Sequence, residues 1–564
     1  MKTKLLFLAA AAFLAPTSLA LSQQAQFTKI TTGAIVNDLG SFTRGAWGDF
    51  SHTGYLDLFV ANWNNLTNVF YRNNGDGTFT KVIQGDPVQD ADYHTGAAAA
   101  DYENNGYLDL IVSAGDSVSV TRRNMLYHNN GDGTFSRVSG GGITNQLGNF
   151  DACAWADYDH DGFVDLFITD NGPSQSGARN ELWHNNGDGT FTRITAGAVV
   201  NDVGVGWAAL WADYDNDGYM DLTVINLLDN ARTFLYHNNR DGTFTRILTN
   251  TIATDLWPGG AQCGAWGDYD NDGLLDLFVT DNGGVRNRLY HNNGNGVFTN
   301  VSSGPMLLPP AGGYSGGCTW GDYDNDGYLD LFVANGGGRN GLYHNNGDGT
   351  FTQILSESLV NESDCSGVAW VDYDNDGFLD LFLARNQGLP LVPNALYHNN
   401  GNTNSWLEVK LVGTASNRSA IGAKVRVRAT IGGKTFWQLR EINTGGGWNL
   451  VPLVAHFGLG NATNVETLRI EWPSGTPQEF QNVRPRQLLT ITEPPRLLAN
   501  LTNGVPQFAL KAWPGMQFAI QSSTDLAAWS PVATITITNR NGRAEIMDTN
   551  PPALDRRFYR AVSP

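Results

Sequence analysis

One nine-residue segment recurs seven times along this chain, and the recurrence constrains the fold more than any other feature. It reads DFSHTGYLD at 49–57, DYENNGYLD at 101–109, DYDHDGFVD at 157–165 and DYDNDGYMD at 213–221, then DYDNDGLLD at 268–276, DYDNDGYLD at 322–330 and DYDNDGFLD at 372–380. Successive starts lie 52, 56, 56, 55, 54 and 50 residues apart. A period of this length marks one supersecondary unit per repeat, which buries its apolar face only against its neighbours.

Each period carries its signals in the same order. A Gly/Ala/Trp segment such as Gly264-Ala265-Trp266-Gly267 precedes the loop, and a β-branched and aromatic run such as Leu277-Phe278-Val279 follows it. A third strand ends in Leu-Tyr-His-Asn-Asn, as at Leu126 to Asn130. A Gly-Asp-Gly-Thr hairpin turn and a short Phe-Thr-Arg-Ile strand close the unit, as at Phe191 to Ile194. Four strands per period is one propeller blade. The predicted fold class is all-β: a seven-bladed β-propeller over 21–403, followed by small β-sandwich-like domains at 404–493 and 494–564. Composition agrees, with 66 Gly in 564 residues and only 16% charged residues, which excludes helical bundles.

The chain ends show how the ring closes. The seventh repeat stops at Asn399-Asn400-Gly401-Asn402 without an outer strand, while an extra one, Phe27-Thr28-Lys29-Ile30, precedes the first repeat. The count predicts that this N-terminal strand pairs with Ala395 to His398 and completes the seventh blade, which removes an exposed sheet edge.

The loop has the chemistry of a calcium site. In its full form Asp fills the first, third, fifth and ninth places and Gly the sixth, as in Asp157, Asp159, Asp161, Gly162 and Asp165. Calcium takes six to eight hard oxygens, and the Gly allows the sharp turn that points alternate carboxylates at one spot. The full set recurs in Asp213, Asp215, Asp217 and Asp221; in Asp268, Asp270, Asp272 and Asp276; in Asp322, Asp324, Asp326 and Asp330; and in Asp372, Asp374, Asp376 and Asp380. The second loop offers Asp101, Glu103, Asn105 and Asp109 and is expected to bind more weakly. The first keeps only Asp49 and Asp57, with Ser51 and Thr53 between them, and is expected to stay metal-free. An EF-hand is excluded, because the twelfth residue is apolar, as at Ile168 or Val279, and lies in a strand.

Charge follows from the loops. The net charge is −20: residues 21–403 hold 16 Lys/Arg and 45 Asp/Glu, and residues 404–564 hold 17 and 10. The seven loops supply 25 of the 45 acidic residues. So acidic a surface repels phosphate backbones, and nucleic acid is not expected as a partner.

The loops and blade order resemble FG-GAP/VCBS repeats, the calcium-bearing blades of integrin α-subunit propellers. The stretch from Trp406 to about Glu493 resembles the ASPIC/UnbV domain, through Ser416-Asn417-Arg418, Ile421-Gly422-Ala423, His456-Phe457-Gly458-Leu459-Gly460 and Glu471-Trp472-Pro473-Ser474-Gly475. The combination is similar to that of cartilage-acidic-protein-like secreted proteins, and the resemblance implies no established chemistry for the second domain.

The remaining signals are local. Lys2 and Lys4, the apolar run Leu5 to Ala15 and the small residues Ser18-Leu19-Ala20 read as a signal peptide over 1–20, which places the mature protein outside the cytoplasm, secreted, periplasmic or at the cell surface, with no integral membrane segment. Cys153, Cys263, Cys318 and Cys365 occupy equivalent inner positions; they are either small buried residues or bridges between neighbouring repeats, Cys263–Cys318 or Cys318–Cys365. His128, His184, His237, His291, His344 and His398 share one blade position, taken by Arg72 in the first blade, and are expected to make structural hydrogen bonds. The repeated Trp two residues before six of the loops (Trp47, Trp155, Trp211, Trp266, Trp320 and Trp370) reads as inter-blade packing. The basic residues on the 404–493 strands are expected on a solvated face, the alternative being contact with the acidic propeller. Asp92-Tyr93-His94 and Arg122-Arg123 break the repeat pattern and are the residues a polysaccharide lyase would use. The leading functional expectation is a calcium-stabilised module that binds a protein or glycan; a carbohydrate-active enzyme and a structural envelope or matrix protein are the alternatives.

Overall fold

The computed structural model describes residues 26–228, 230–308, 313–386, 390–502, 505–513, 515–538, 543–547 and 557–562. The expected signal peptide, residues 1–20, lies outside the described residues. Seven four-stranded antiparallel sheets follow one another, each built as the repeat prescribes. In the fifth, Ala261–Gly267, Asp276–Asp281, Arg288–Asn292 and Phe298–Asn300 pair in chain order. The innermost strand of each sheet packs on that of the next, and Phe42–Gly48 of the first packs on Cys365–Val371 of the seventh, so the sheets form a closed ring.

The seventh sheet is completed from the other end of the chain. Phe27–Lys29 lies antiparallel to Ala395–Asn399, with Phe27 opposite Asn399, Thr28 opposite His398 and Lys29 opposite Tyr397. The Ile30 and Asn400 amides extend the ladder to Leu396 and Gln26 carbonyls. Phe27 is 2% exposed, its ring 5.7 Å from Tyr323 and 5.8 Å from Trp370.

Second strands are buried along their length because a neighbouring blade covers each face. Between blades, four of the six repeated Trp stack on the Tyr at the second place of the preceding loop: Trp155 on Tyr102, Trp266 on Tyr214, Trp320 on Tyr269 and Trp370 on Tyr323. Such pairs contribute ~0.5–1.5 kcal/mol each beyond area burial.

Residues 405–492 form two further sheets. Ser405–Val412 runs between Val454–Gly460 and Leu488–Thr492, and Lys424–Ile431 lies between Lys434–Glu441 and Val465–Glu471, with Pro477–Val483 outermost. Alternate residues, among them Val409, Val425, Val427, Phe457, Leu468 and Ile470, fill the core between them. Two three-stranded sheets from 496–562 enclose Phe508, Leu510, Phe518 and Ile520. No helix among the described residues is long and apolar enough to cross a membrane.

Candidate metal loops and their cap

The nine-residue loops join the first two strands of each blade and therefore crowd one face of the ring. Backbone amides shape them. In the fourth loop Asp213 accepts from the Asp217 and Gly218 N–H groups at 2.9 and 2.8 Å, and Asp217 accepts from the Tyr219 N–H at 2.8 Å. Asp221 accepts from the Asn238 N–H of the third strand at 2.8 Å. The fifth, sixth and seventh loops repeat these contacts. The sixth-place Gly adopts positive φ, +93° at Gly218.

The carboxylates then converge without partners enough to satisfy them. Asp157 Oδ1, Asp221 Oδ2, Asp270 Oδ1, Asp324 Oδ1 and Asp374 Oδ1 are shielded from solvent and accept no hydrogen bond. Burial, then the neighbouring loop carboxylates, hold Asp157, Asp268 and Asp322 well above the usual carboxylate range. Burial likewise raises Asp165, Asp221, Asp276 and Asp380 to about 7. Buried, crowded and unpaired carboxylate oxygens are a donor set that fits a divalent cation. Each of the six repeated His lies against carboxylates of its own loop, with His184 Nδ1 3.2 Å from both Asp159 Oδ2 and Asp165 Oδ1. The Asp159 and Asp165 carboxylates hold that imidazole up to about 10.

The two incomplete loops differ in kind. In the second, Glu103, Asp109 and His128 still cluster, and Asp101 is raised to about 7 by burial. In the first, the chain supplies its own cations: Arg72 Nε donates to Ser51 Oγ at 3.1 Å, and Lys410 Nζ lies 3.1 Å from Asp49 Oδ2.

The loops are laced to one another. The fourth-place residue sits at φ near +60° and its side chain reaches the sixth-place Gly carbonyl of the next loop. Asn104 donates to Gly162, Asn216 to Gly273, Asn271 to Gly327, Asn325 to Gly377 and Asn375 to Gly54. The His52 ring nitrogen meets the Gly106 carbonyl at 2.7 Å, and His160 stacks on Tyr219 at 3.9 Å. The sequence reading passed over these residues; the recurrence of Asn at the fourth place was the signal.

Residues 405–511 cover this face, and the basic strand residues divide between the loops and solvent: Lys410, Lys424, Arg426 and Arg440 meet the loops, while Arg428 and Lys434 are exposed and half-buried Arg469 pairs with Glu471. Buried Lys424 lies 2.7 Å from Asp213 Oδ2 and also contacts Asn216 Oδ1. Arg440 stands by Asp322 and Asp268, and Lys511 donates to the Asp161 carbonyl at 2.7 Å. In the Lys424–Arg428 run, Arg426 also pairs with Glu471, and exposed Arg428 pairs with Glu466. Gly458 sits so close to the sixth loop that a Cβ would fall 2.0 Å from Asp322 Oδ2. The Ser419 hydroxyl accepts the Asp101 N–H, and His456 Nε2 meets the Gly377 carbonyl at 3.2 Å. A cation moves to the loop carboxylates because each charge offsets the other's desolvation.

Residues 444–450 leave this cap and enter the centre of the ring. Thr444 Oγ1 accepts the Trp155 N–H, the Gly446 carbonyl accepts the Ala209 N–H at 2.7 Å, and Asn449 donates to the Gly264 carbonyl. Val368 and Asn449 form a parallel bridge. Trp448 stacks on Trp207, and the Arg44 guanidinium lies 4.5 Å over its ring. Only Gly fits at 446, where φ is +115° and a Cβ would fall 1.9 Å from the Ala209 carbonyl oxygen.

Residues 49–112, 113–168, 157–224, 223–279, 268–333 and 322–383 match the FG-GAP-like repeat. The chain belongs to the FG-GAP-like repeat family. Residues 413–497, the body of the cap, match the ASPIC and UnbV family. Cartilage acidic protein 1 of Homo sapiens is 27% identical over 324 residues, 55% of this chain and 39% of that one. The Xenopus tropicalis protein of the same name is 30% identical over 324 residues, 55% and 40% of the two chains. The match thus spans about two-fifths of these relatives. Among solved structures, a six-bladed Aleuria aurantia lectin is 10% identical, covering 57% of this chain and 97% of that one at a TM-score of 0.32. The V. cholerae biofilm matrix protein is 11% identical, covering 92% and 84% at 0.28.

Two other groups of residues are placed by the FG-GAP blades. All four cysteines are buried free thiols; Cys263 and Cys318 lie side by side unbonded, so neither expected bridge is present. Of the residues outside the repeat pattern, Arg122 is paired with Asp92 at 2.8 Å and Asp116 at 3.0 Å and lies over Tyr93. His94 is fully buried, and burial pushes it down to about 4.

Proposed function

We propose that this chain is an exported binding module whose FG-GAP ring is held together by calcium in five full loops, with a weaker ion in the second. The observation that carries the reading is the set of buried, unpartnered carboxylate oxygens repeated in the third to seventh loops. Asp157, Asp159, Asp161 and Asp165 and their counterparts would hold each ion, and the ion would supply the positive charge that Arg72 and Lys410 supply in the first loop. The role is structural. Each loop joins two strands of its blade and touches the next loop, so an ion there fixes blade to blade.

The cap occupies the loop face and the centre of the ring, which leaves the opposite face for a protein or glycan. That face carries exposed Leu39, Leu147, Val203, Leu256 and Leu308 between outer and inner strands of successive blades. Catalytic use of Asp92-Tyr93-His94 is disfavoured by the inward burial of His94 and by the commitment of Arg122 to two carboxylates.

Melting curves in calcium and in excess chelator test the structural role. An ion at 100 times its Kd stabilises the fold by ~2.7 kcal/mol per site, so stripping the sites lowers Tm markedly. An unchanged Tm after calcium is shown to be gone refutes it. Glycan arrays and pull-downs with the calcium-loaded protein, repeated with Val203→Asp and Leu256→Asp, test the open face.

A further inference from the structure

The repeated imidazoles stand where a bound ion would need one more ligand. His184, His237 and His344 each place Nδ1 3.2 Å from the third-place Oδ2 and 3.2 Å from the ninth-place Oδ1 of their own loop. The values are 3.3 and 3.3 Å for His291 and 3.4 and 3.2 Å for His398. Each Nδ1 is shielded from solvent, and neither carboxylate oxygen lies in line with it at good hydrogen-bond geometry. A charge-assisted N–H···O bond is also shorter, about 2.7–2.9 Å. Two donors at right angles about one ion, with bonds of about 2.3 Å, stand about 3.3 Å apart. The spacing is thus that of adjacent ligands around a common centre.

Two further observations point to the same centre. Asp157 and Asp221, 2% and 1% exposed, each keep a carboxylate oxygen without a partner in these loops, and in Asp221 it is Oδ2, on the same carboxylate whose Oδ1 faces His237. The first blade shows the converse. Where the third and fifth places are Ser51 and Thr53, the imidazole is replaced by Arg72, whose guanidinium donates to Ser51. The imidazole accompanies the carboxylates and disappears with them.

We propose that His184, His237, His291, His344 and His398 are metal ligands through Nδ1, so that the five full loops are mixed nitrogen–oxygen sites that take first-row transition ions as well as calcium. The inference rests on the metal-loop reading above. Hard calcium gains little from an imidazole, whereas ions of the cobalt and zinc class gain much. The third strand delivers the ligand: the Asn that follows each His is tied through its N–H to the ninth-place Asp, at 2.8 Å for Asn292 on Asp276, which holds the strand backbone beside the loop.

Cobalt(II) is the probe. The full chain, stripped and reloaded with cobalt, is expected to show the multiple-scattering signature of coordinated imidazole in its X-ray absorption fine structure. His291→Gln is expected to weaken cobalt binding at one site about tenfold and calcium binding at that site by no more than two- to threefold, measured by calorimetry. Cobalt bound without imidazole scattering, or equal losses for the two ions, overturns the proposal and leaves the calcium reading standing. Failure of the stripped protein to bind either ion overturns both. Should His291→Gln not fold, the absorption spectrum of the unaltered protein decides alone.

Discussion

Replacing Phe27 by Ala tests whether the ring is held shut by the strand that arrives from the far end of the chain. Phe27 is 2% exposed and packs against Tyr323 and Trp370, side chains of the sixth and seventh blades. Truncating a buried Phe costs ~3–5 kcal/mol, the transfer term plus the cavity. If the ring, residues 26–400, unfolds as one unit, its size sets the scale of the shift. At ~2.1 cal/mol/K per residue such a ring unfolds with an entropy of ~0.8 kcal/mol/K, so a loss of ~4 kcal/mol lowers Tm by ~5 °C. Thr28→Ala is the control: the side chain is exposed and bonds only Asn400, and a change of at most ~0.5 kcal/mol is expected. Differential scanning calorimetry of both variants in saturating calcium reads the difference. Deleting 21–31 should go further and leave Ala395–Asn399 an unpaired edge that aggregates. A Phe27→Ala variant that melts within 1 °C of the parent, or one no worse than Thr28→Ala, would refute the closure argument.

The other expectations are as follows. Asp272→Ala removes one ion by metal analysis and lowers Tm, while Thr53→Ala changes neither; equal losses from both would contradict the ranking of the loops. In the metal-free protein, Asp165, Asp221, Asp276 and Asp380 titrate near 7, far above their unfolded values, so the folded state holds extra protons between about pH 4 and 7. Its Tm should therefore rise as pH falls through that window, whereas the calcium-loaded form should lose stability as protons displace the ion; parallel trends for the two forms would be inconsistent with this. Gly446→Ala forces a Cβ against the Ala209 carbonyl and should expel the 444–450 segment, detected as new protease cleavage between the ring and the cap while the ring still melts cooperatively; unchanged cleavage would mean that the segment does not hold the cap down.

The parts legible in the sequence were those that repeat. Asp268, Asp270, Asp272 and Asp276 announce a loop because four other loops carry the same set, and Phe27-Thr28-Lys29-Ile30 was recognisable as an outer strand because six later segments match it. The cap contacts have no such periodicity. Lys424 and Asp213 are 211 residues apart, and nothing local to either marks the other. The run Gly445-Gly446-Gly447-Trp448 reads as an ordinary flexible loop, and its use as a plug follows only from the close approach of three blades to its backbone. The His residues are visible in the sequence as a column, but which carboxylates they meet is decided by strand geometry and not by spacing.

The ring is nearly sevenfold repetitive, yet what sits on it has no symmetry at all. Lys410 addresses the first loop, Ser419 the second, Lys511 the third, Lys424 the fourth, Gly458 the sixth and His456 the seventh. Of seven rotational settings of cap on ring, one places each of these residues over its counterpart. Blades that look interchangeable are therefore indexed, as positions on a dial are. An added or lost blade would alter the turn between neighbours, about 51° in a seven-bladed ring, and throw every later contact out of alignment. The cap's contacts match a ring of seven blades and no other number.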